Sequence, residues 1–204
     1  MGKKEYGVIV FDLGNTIIRF DHNISAAKIA NLCRCDTKKI YDIFFDSDIT
    51  RDFEKGLLSP REFYKRAADL LGIKVPYRDF VLIWNDIFWE DEGACDIAKS
   101  LKGSYRLFLL SNVNRLHFEH IQKKFAIIKI FDEMILSFMI GAIKPDRLIF
   151  EEAIRRAGGD KDEMLYIDDR QDLVAAAAGL GIDSIRYEGP DRLLCAMREK
   201  GVIV

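Results

Sequence analysis

Short apolar runs alternate with longer amphipathic stretches along this chain. Five runs, at residues 6–11, 106–110, 133–136, 164–167 and 184–187, are apolar and bounded by polar residues or glycine. Their length and composition predict buried strands. Helical periodicity follows most of them. In DRLIFEEAIRRAGG, residues 146–159, Ile149, Phe150, Ala153, Ile154 and Ala157 share one face, and Gly158 can stop the helix. In DLVAAAAGLG the apolar run is shorter, with Gly179 and Gly181 at its end. Strands alternating with helices predict an α/β fold, a doubly wound parallel sheet of Rossmann-like type covered on both faces.

Residues 21–90 break this alternation, with several helical patterns and no convincing strand. The clearest pattern is SPREFYKRAADLLG. Ser59 suits an N-cap, Pro60 the first helical position, and Glu62 completes a capping box. Phe63, Ala67, Leu70 and Leu71 form the expected buried stripe, closed by Gly72. The expected organisation is a sheet domain built from residues 1–20 and 91–204, with an all-helical insertion at 21–90. An independent N-terminal helical domain fits less well, because a strand precedes the helices.

Composition narrows the function. The formal net charge of -2 gives no basic field for nucleic acid. No apolar run approaches a membrane span. The start, MGKKEYGVIVFD, has only a short apolar stretch before an acid, unlike a secretory signal. Gly2 lacks the Ser or Thr at position six that N-myristoylation requires. The four cysteines, Cys33, Cys35, Cys95 and Cys195, lack the spacing of a zinc site and read as free thiols. A cytoplasmic protein is expected.

In a parallel α/β sheet, ligands bind outside the carboxyl ends of the strands. Asp12 follows the first strand, Ser111 and Asn112 the second, Lys144 the loop after the third, and Asp168 and Asp169 the fourth. Clustered carboxylates repel, so a divalent cation is their natural partner. Oxygen ligands suit Mg²⁺, which also accepts a substrate phosphate. Lys144 would neutralise phosphate charge and hold Asp12 ionised, while Ser111 and the amides opening the next helix form an anion cradle. Asp12 could then attack phosphorus as a carboxylate nucleophile.

The stretches FDLGNT, LLSN, KPDRLIFEEA and YIDD resemble, in order and spacing, the four motifs of the haloacid dehalogenase-like superfamily. The helical insertion resembles the small cap of one large branch. Within it, FDLGN followed by SNVNRLH looks most like bacterial phosphatases acting on glucose 1-phosphate and related sugar phosphates, and FEKGLLSPREF and WNDIF fit more loosely. The resemblance implies that Asp12 is the nucleophile and a Mg²⁺ ligand. The carbonyl of Gly14 and the side chains of Asp168 and Asp169 complete the implied metal set. It also implies that Ser111 and Lys144 hold phosphate, with Asn112 contributing through its backbone or amide. The partner would be a small phosphorylated metabolite, with a sugar phosphate favoured.

Two positions depart from the family pattern. Most of its phosphatases carry a second Asp two residues after the nucleophile, as general acid and base; here that place is Gly14. Relatives with DLGN share the departure. A good leaving group, or a donor such as Asp21, His22 or His117, could compensate. The place four residues after the second acid, often Asn or Asp, is Leu173. Two other functions compete with a phosphatase. A 2-haloacid dehalogenase would need no metal, and LGNT with Asp168–Asp169 argues against it. A phosphate-ligand binding or regulatory protein is motivated by Gly14 and Leu173. Phe44, Phe45, Phe53, Trp84 and Phe88 are candidates either for the entrance to the site or for core.

Overall fold

In the computed structural model, residues 5–204 are described apart from 34, 46 and 73 and the side chain of residue 33, so the Cys33-x-Cys35 pair lies partly outside the described residues. Strands β1 (Val8–Phe11), β4 (Arg106–Ser111), β5 (Glu133–Leu136), β6 (Met164–Asp168) and β7 (Asp183–Arg186) form one parallel sheet in the order β5-β4-β1-β6-β7. The central strands are continuously apolar because both faces are covered. Ile9, Phe11, Leu107, Leu109, Leu165 and Ile167 enter one core, and Val8, Val10, Phe108, Leu110, Met164 and Tyr166 enter the other. That partition is the period-2 alternation of a strand.

The strand boundaries differ slightly from the apolar pattern. β1 starts at Val8, while Tyr6 bonds through its hydroxyl to the Asp183 carboxylate. β7 starts one residue early, because Asp183 pairs with Leu165, and Tyr187 keeps only an N–H bond to the Asp168 carbonyl.

Helices α1 (His22–Cys33), α2 (Thr37–Phe45), α3 (Asp48–Glu54), α4 (Pro60–Leu71) and α5 (Tyr77–Asn85) follow β1 in the chain, between two short strands that the sequence pattern misses. β2 (Ile18–Phe20) and β3 (Phe88–Glu90) pair antiparallel, with Phe20 opposite Phe88. At three residues each, they are too short to show a period. The helices share an apolar cluster in which Phe44, Phe53, Phe63, Phe80 and Trp84 are fully buried. Phe44, Phe53 and Trp84 are thus core, whereas Phe45 and Phe88 reach cavities beside the sheet. In α4 the Ser59–Glu62 capping box forms and Gly72 closes the helix at φ 64. The buried stripe uses Ala68 instead of Leu70, which is exposed.

The remaining helices, α6 (Glu92–Leu101), α7 (Arg115–Lys124), α8 (Ser137–Ile140), α9 (Arg147–Ala157), α10 (Gln171–Gly179) and α11 (Pro190–Glu199), connect or follow the sheet strands. Gly56, just after α3, packs against α8. It adopts φ +73, and a Cβ there would lie 2.2 Å from the Phe138 carbonyl oxygen. Gly56→Ala should therefore destabilise the protein by at least about 1 kcal/mol, read by chemical denaturation. Among the described residues, no helix is long and apolar enough to cross a membrane.

Candidate active site

β1 delivers Asp12 to the carboxyl end of the sheet, where the Asp12 N–H donates to the Ile167 carbonyl at 2.8 Å. The strand order reverses direction around β1, so Asp12 sits at the switch point where such sheets bind ligands. The chain then turns tightly: the N–H groups of Ile17 and Ile18 both donate to the Leu13 carbonyl, at 3.1 and 2.8 Å. Asn15 takes φ 53 within this turn, a conformation that Asn tolerates better than most residues. A Cβ on Gly14 would lie 2.9 Å from Cε1 of Phe20, so the Phe20 ring fills the space a side chain at 14 would need.

Lys144 arrives from the loop after α8. Asn112 fixes its main chain twice: the Asn112 amide donates to the Lys144 carbonyl at 3.0 Å, and the Lys144 N–H donates to Asn112 Oδ1 at 2.7 Å. The buried ammonium donates to Asp12 Oδ1 and Asp168 Oδ2, both at 2.6 Å, and lies 3.0 Å from the Tyr166 hydroxyl and 3.1 Å from the Leu110 carbonyl. Tyr166 in turn donates to Asp168 Oδ2. Burial opposes the charge on Lys144, but Asp12, Tyr166 and Asp168 together hold its pKa well above the ordinary lysine value.

Oxygens of Asp12, Asp168 and Asp169 lie within 4.8 Å of one another. One ammonium does not balance three carboxylates. Burial raises Asp12 to about 7 against the pull of Lys144, and Asp168 and Asp169 add to the rise. Asp169 is raised as well, by burial first and then by Asp168. An all-oxygen donor set with surplus negative charge fits a hard divalent cation such as Mg²⁺.

The pH dependence of stability has a definite sign. The folded Asp12 carboxyl, at about 7, holds its proton more tightly than its ordinary value of 3.8. Between those values the metal-free folded state binds the extra proton, so this group's contribution to stability is lost as pH rises through the window. A cation must displace that proton. The thermal shift produced by Mg²⁺ should therefore be small near about pH 5 and larger near about pH 8, measured by calorimetry.

The other expected site residues have definite places. Ser111 ends β4, buried, and its hydroxyl makes no hydrogen bond among the described residues. The Asn112 side-chain amide is committed to Lys144, which leaves its backbone N–H for a ligand. Gly14, Asn15, Lys144 and Asp169 line one cleft with Asp12, of about 260 Å³. Leu173 also lines it, placing an apolar side chain where the family pattern often has a polar one.

The suggested proton donors have structural partners instead. Asp21 Oδ1 accepts from the Asn23 N–H at 2.9 Å at the start of α1. His22 is stacked on Phe45 with centroids 4.0 Å apart, and burial pushes its pKa down to about 4. His117 has both ring nitrogens occupied, Nδ1 by Asn114 at 3.0 Å and Nε2 by the Trp84 carbonyl at 3.2 Å. Burial lowers its pKa well below the ordinary value. A neutral imidazole offers little acid strength near neutrality.

Tyr166, behind the cleft, and Arg170 and Glu54, which line it, escaped the sequence reading. Tyr166 was detectable, since a residue two before Asp168 on a strand shares its face. Arg170 directly follows the acidic pair and is ion-paired with Asp172 at 2.6 Å. Glu54 lies on the helical insertion, where only the fold brings it to the cleft.

The sheet thus delivers three carboxylates and a buried lysine to one switch point, a set suited to a divalent cation and a phosphoryl group. The chain belongs to the haloacid dehalogenase-like hydrolases, whose family model matches residues 6–181. Among curated proteins it is similar to D-ribitol-5-phosphate phosphatase of Bacteroides thetaiotaomicron, 27% identical over 187 residues, covering 88% of this chain and 91% of that one. Among solved structures it is similar to an enzyme of the same family from Bacteroides thetaiotaomicron in complex with magnesium and inorganic phosphate. The TM-score is 0.81 at 25% identity, over 90% of this chain and 95% of that one. A family hydrolase structure from Porphyromonas gingivalis aligns with a TM-score of 0.79 at 26% identity, over 95% and 97% of the two chains.

Proposed function

We propose that this protein is a Mg²⁺-dependent phosphatase that hydrolyses a small phosphorylated metabolite, a sugar or polyol phosphate, through an aspartyl-phosphate on Asp12. The observation that carries this reading is the cluster at the switch point, where Lys144 bridges Asp12 and Asp168 at 2.6 Å each and Asp169 stands within 4.8 Å. The similarity to a polyol phosphate phosphatase and to a magnesium and phosphate complex supports the same chemistry.

In this reading Asp12, Asp168, Asp169 and the carbonyl of Gly14 hold the cation, which when bound neutralises the carboxylates and polarises the phosphoryl oxygens. Lys144 binds a phosphoryl oxygen while keeping Asp12 oriented. Ser111, with a free hydroxyl, and Asn112, through its backbone, bind the remaining oxygens. One oxygen of Asp12 forms a bond to phosphorus as the bond to the leaving oxygen breaks, and water then releases phosphate from Asp12. Residues 21–90 act as a cap over the core formed by residues 1–20 and 91–204. The cap excludes water and selects the organic part of the substrate.

A phosphate-release screen over sugar, polyol and acyl phosphates and nucleotides tests the proposal. Turnover should require Mg²⁺ and vanish with EDTA. No turnover on the panel, together with a beryllium fluoride adduct on Asp12, would mark a binding protein instead.

A further inference from the structure

Glu54 is the last residue of α3 and lines the cleft together with Asp12, Gly14, Lys144 and Asp169. It also lines the two adjoining cavities, one containing Phe20 and Ser111 and the other Arg51 and Arg170. No other carboxylate outside the Asp12–Asp168–Asp169 cluster lines any of the three among the described residues. Its side chain makes no hydrogen bond or ion pair among the described residues, whereas Asp48 on the same helix pairs with Arg51.

The position of Glu54 is set from both sides. Phe53 before it is buried and stacked on Phe63 at 4.3 Å. Gly56 after it packs against the Phe138 carbonyl of the sheet domain, and the Lys55 N–H donates to the Arg51 carbonyl at 2.9 Å. Glu54 shares two of these cavities with Gly14, which carries no side chain, and with Phe20, whose ring lies where one would be.

We propose that Glu54 supplies the general acid and base that Gly14 cannot, so that the inserted helices complete the catalytic set as well as covering it. This rests on the phosphatase reading above. In the first step the P–O bond to the leaving group breaks as the Asp12–phosphorus bond forms, and the Glu54 carboxyl gives its proton to the leaving oxygen. In the second step the Glu54 carboxylate takes a proton from water. The water oxygen bonds to phosphorus, the bond to Asp12 breaks, and inorganic phosphate departs with Glu54 protonated again. Burial raises the Glu54 carboxyl to about 7, against Arg170 and Arg51, which suits a group that must both give and take a proton near neutral pH.

The test compares kcat/KM of the wild type and Glu54→Gln, in the full chain with Mg²⁺, on two substrates. One is p-nitrophenyl phosphate, whose leaving group needs little protonation. The other is the best sugar or polyol phosphate from the screen. Because kcat/KM covers only steps up to leaving-group departure, Glu54→Gln should lose about 10²- to 10⁴-fold on the alkyl phosphate and less than about fivefold on the aryl one. The retained aryl rate also reports that the variant is folded. Equal losses on both substrates, or no loss on the alkyl phosphate, overturn the proposal.

The wild type alone gives a second reading. Across aryl and alkyl phosphates its kcat/KM should depend weakly on leaving-group pKa, and a steep fall toward poor leaving groups overturns the role of any acid. A wild type without Mg²⁺-dependent turnover on either substrate overturns the phosphatase reading itself. Wild-type turnover with equal Glu54→Gln losses overturns only the role of Glu54.

Discussion

Replacing Asp12 with asparagine is expected to lower phosphate release by at least about 10⁴-fold, because the proposed mechanism forms its covalent intermediate on that carboxylate. The same variant should be no less heat-resistant than the wild type in EDTA near about pH 8, where the wild-type carboxyl is ionised beside two others. An amide oxygen can still accept from Lys144, which keeps its bonds to Asp168, Tyr166 and Leu110. The substitution therefore removes like-charge repulsion without creating a cavity. With Mg²⁺ added, the order should reverse, since the wild type gains a ligand that the variant lacks. Phosphate-release assays and calorimetry with and without EDTA read the two effects, and a variant unstable in EDTA would contradict this account of the metal-free site.

Removing the ammonium should do the opposite. Lys144→Met keeps most of the side chain's bulk but leaves Asp12 and Asp168 buried without their shared cation. Breaking a buried pair in this way costs about 3–5 kcal/mol. For a chain of this size each kcal/mol corresponds to about 2–4 °C, so the melting temperature should drop by about 6–20 °C. The gap to the wild type should narrow as pH falls, because protonation of Asp12 relieves the unpaired charge. Activity should fall with stability at neutral pH, since phosphate loses its buried counter-charge. A variant with wild-type melting in metal-free buffer would mean that Lys144 is not the electrostatic centre of the cluster.

The parts of this molecule that could be read from its sequence are those governed by local periodicity. The run VIVF signals a strand covered on both faces, and the position of Asp12 directly after it follows from chain order. Ser59, Glu62 and Gly72 mark their helix because capping is a contact between residues close in sequence. Lys144 was placed near Asp12 by the rule that parallel strands converge at one end. Its set of four oxygen neighbours was not legible, because the Leu110 carbonyl and the Tyr166 hydroxyl join it only through strand packing. The β2–β3 ribbon escaped because three residues carry no period. Glu54 escaped for a different reason: it lies 42 positions from Asp12 in the chain, on an element whose docking depends on tertiary packing. His22 and His117 are chemistry-bearing residue types, but the sequence does not show that each stacks on an aromatic ring.

The Phe20 ring beside Gly14 bears on how such a site can change over evolutionary time. The ring is flanked by His22 at 4.6 Å and by Phe88 at 6.2 Å. An aspartate arriving at position 14 in one mutational step would collide with it before any catalytic gain could be selected. A smaller residue at position 20 would have to come first, and that change by itself loosens the ribbon through which the chain enters and leaves its helical insertion. The two positions are therefore expected to be coupled in their effect on stability. A lineage that once fixed this glycine and phenylalanine together would be held to the pair, and selection for faster turnover would act on the insertion instead.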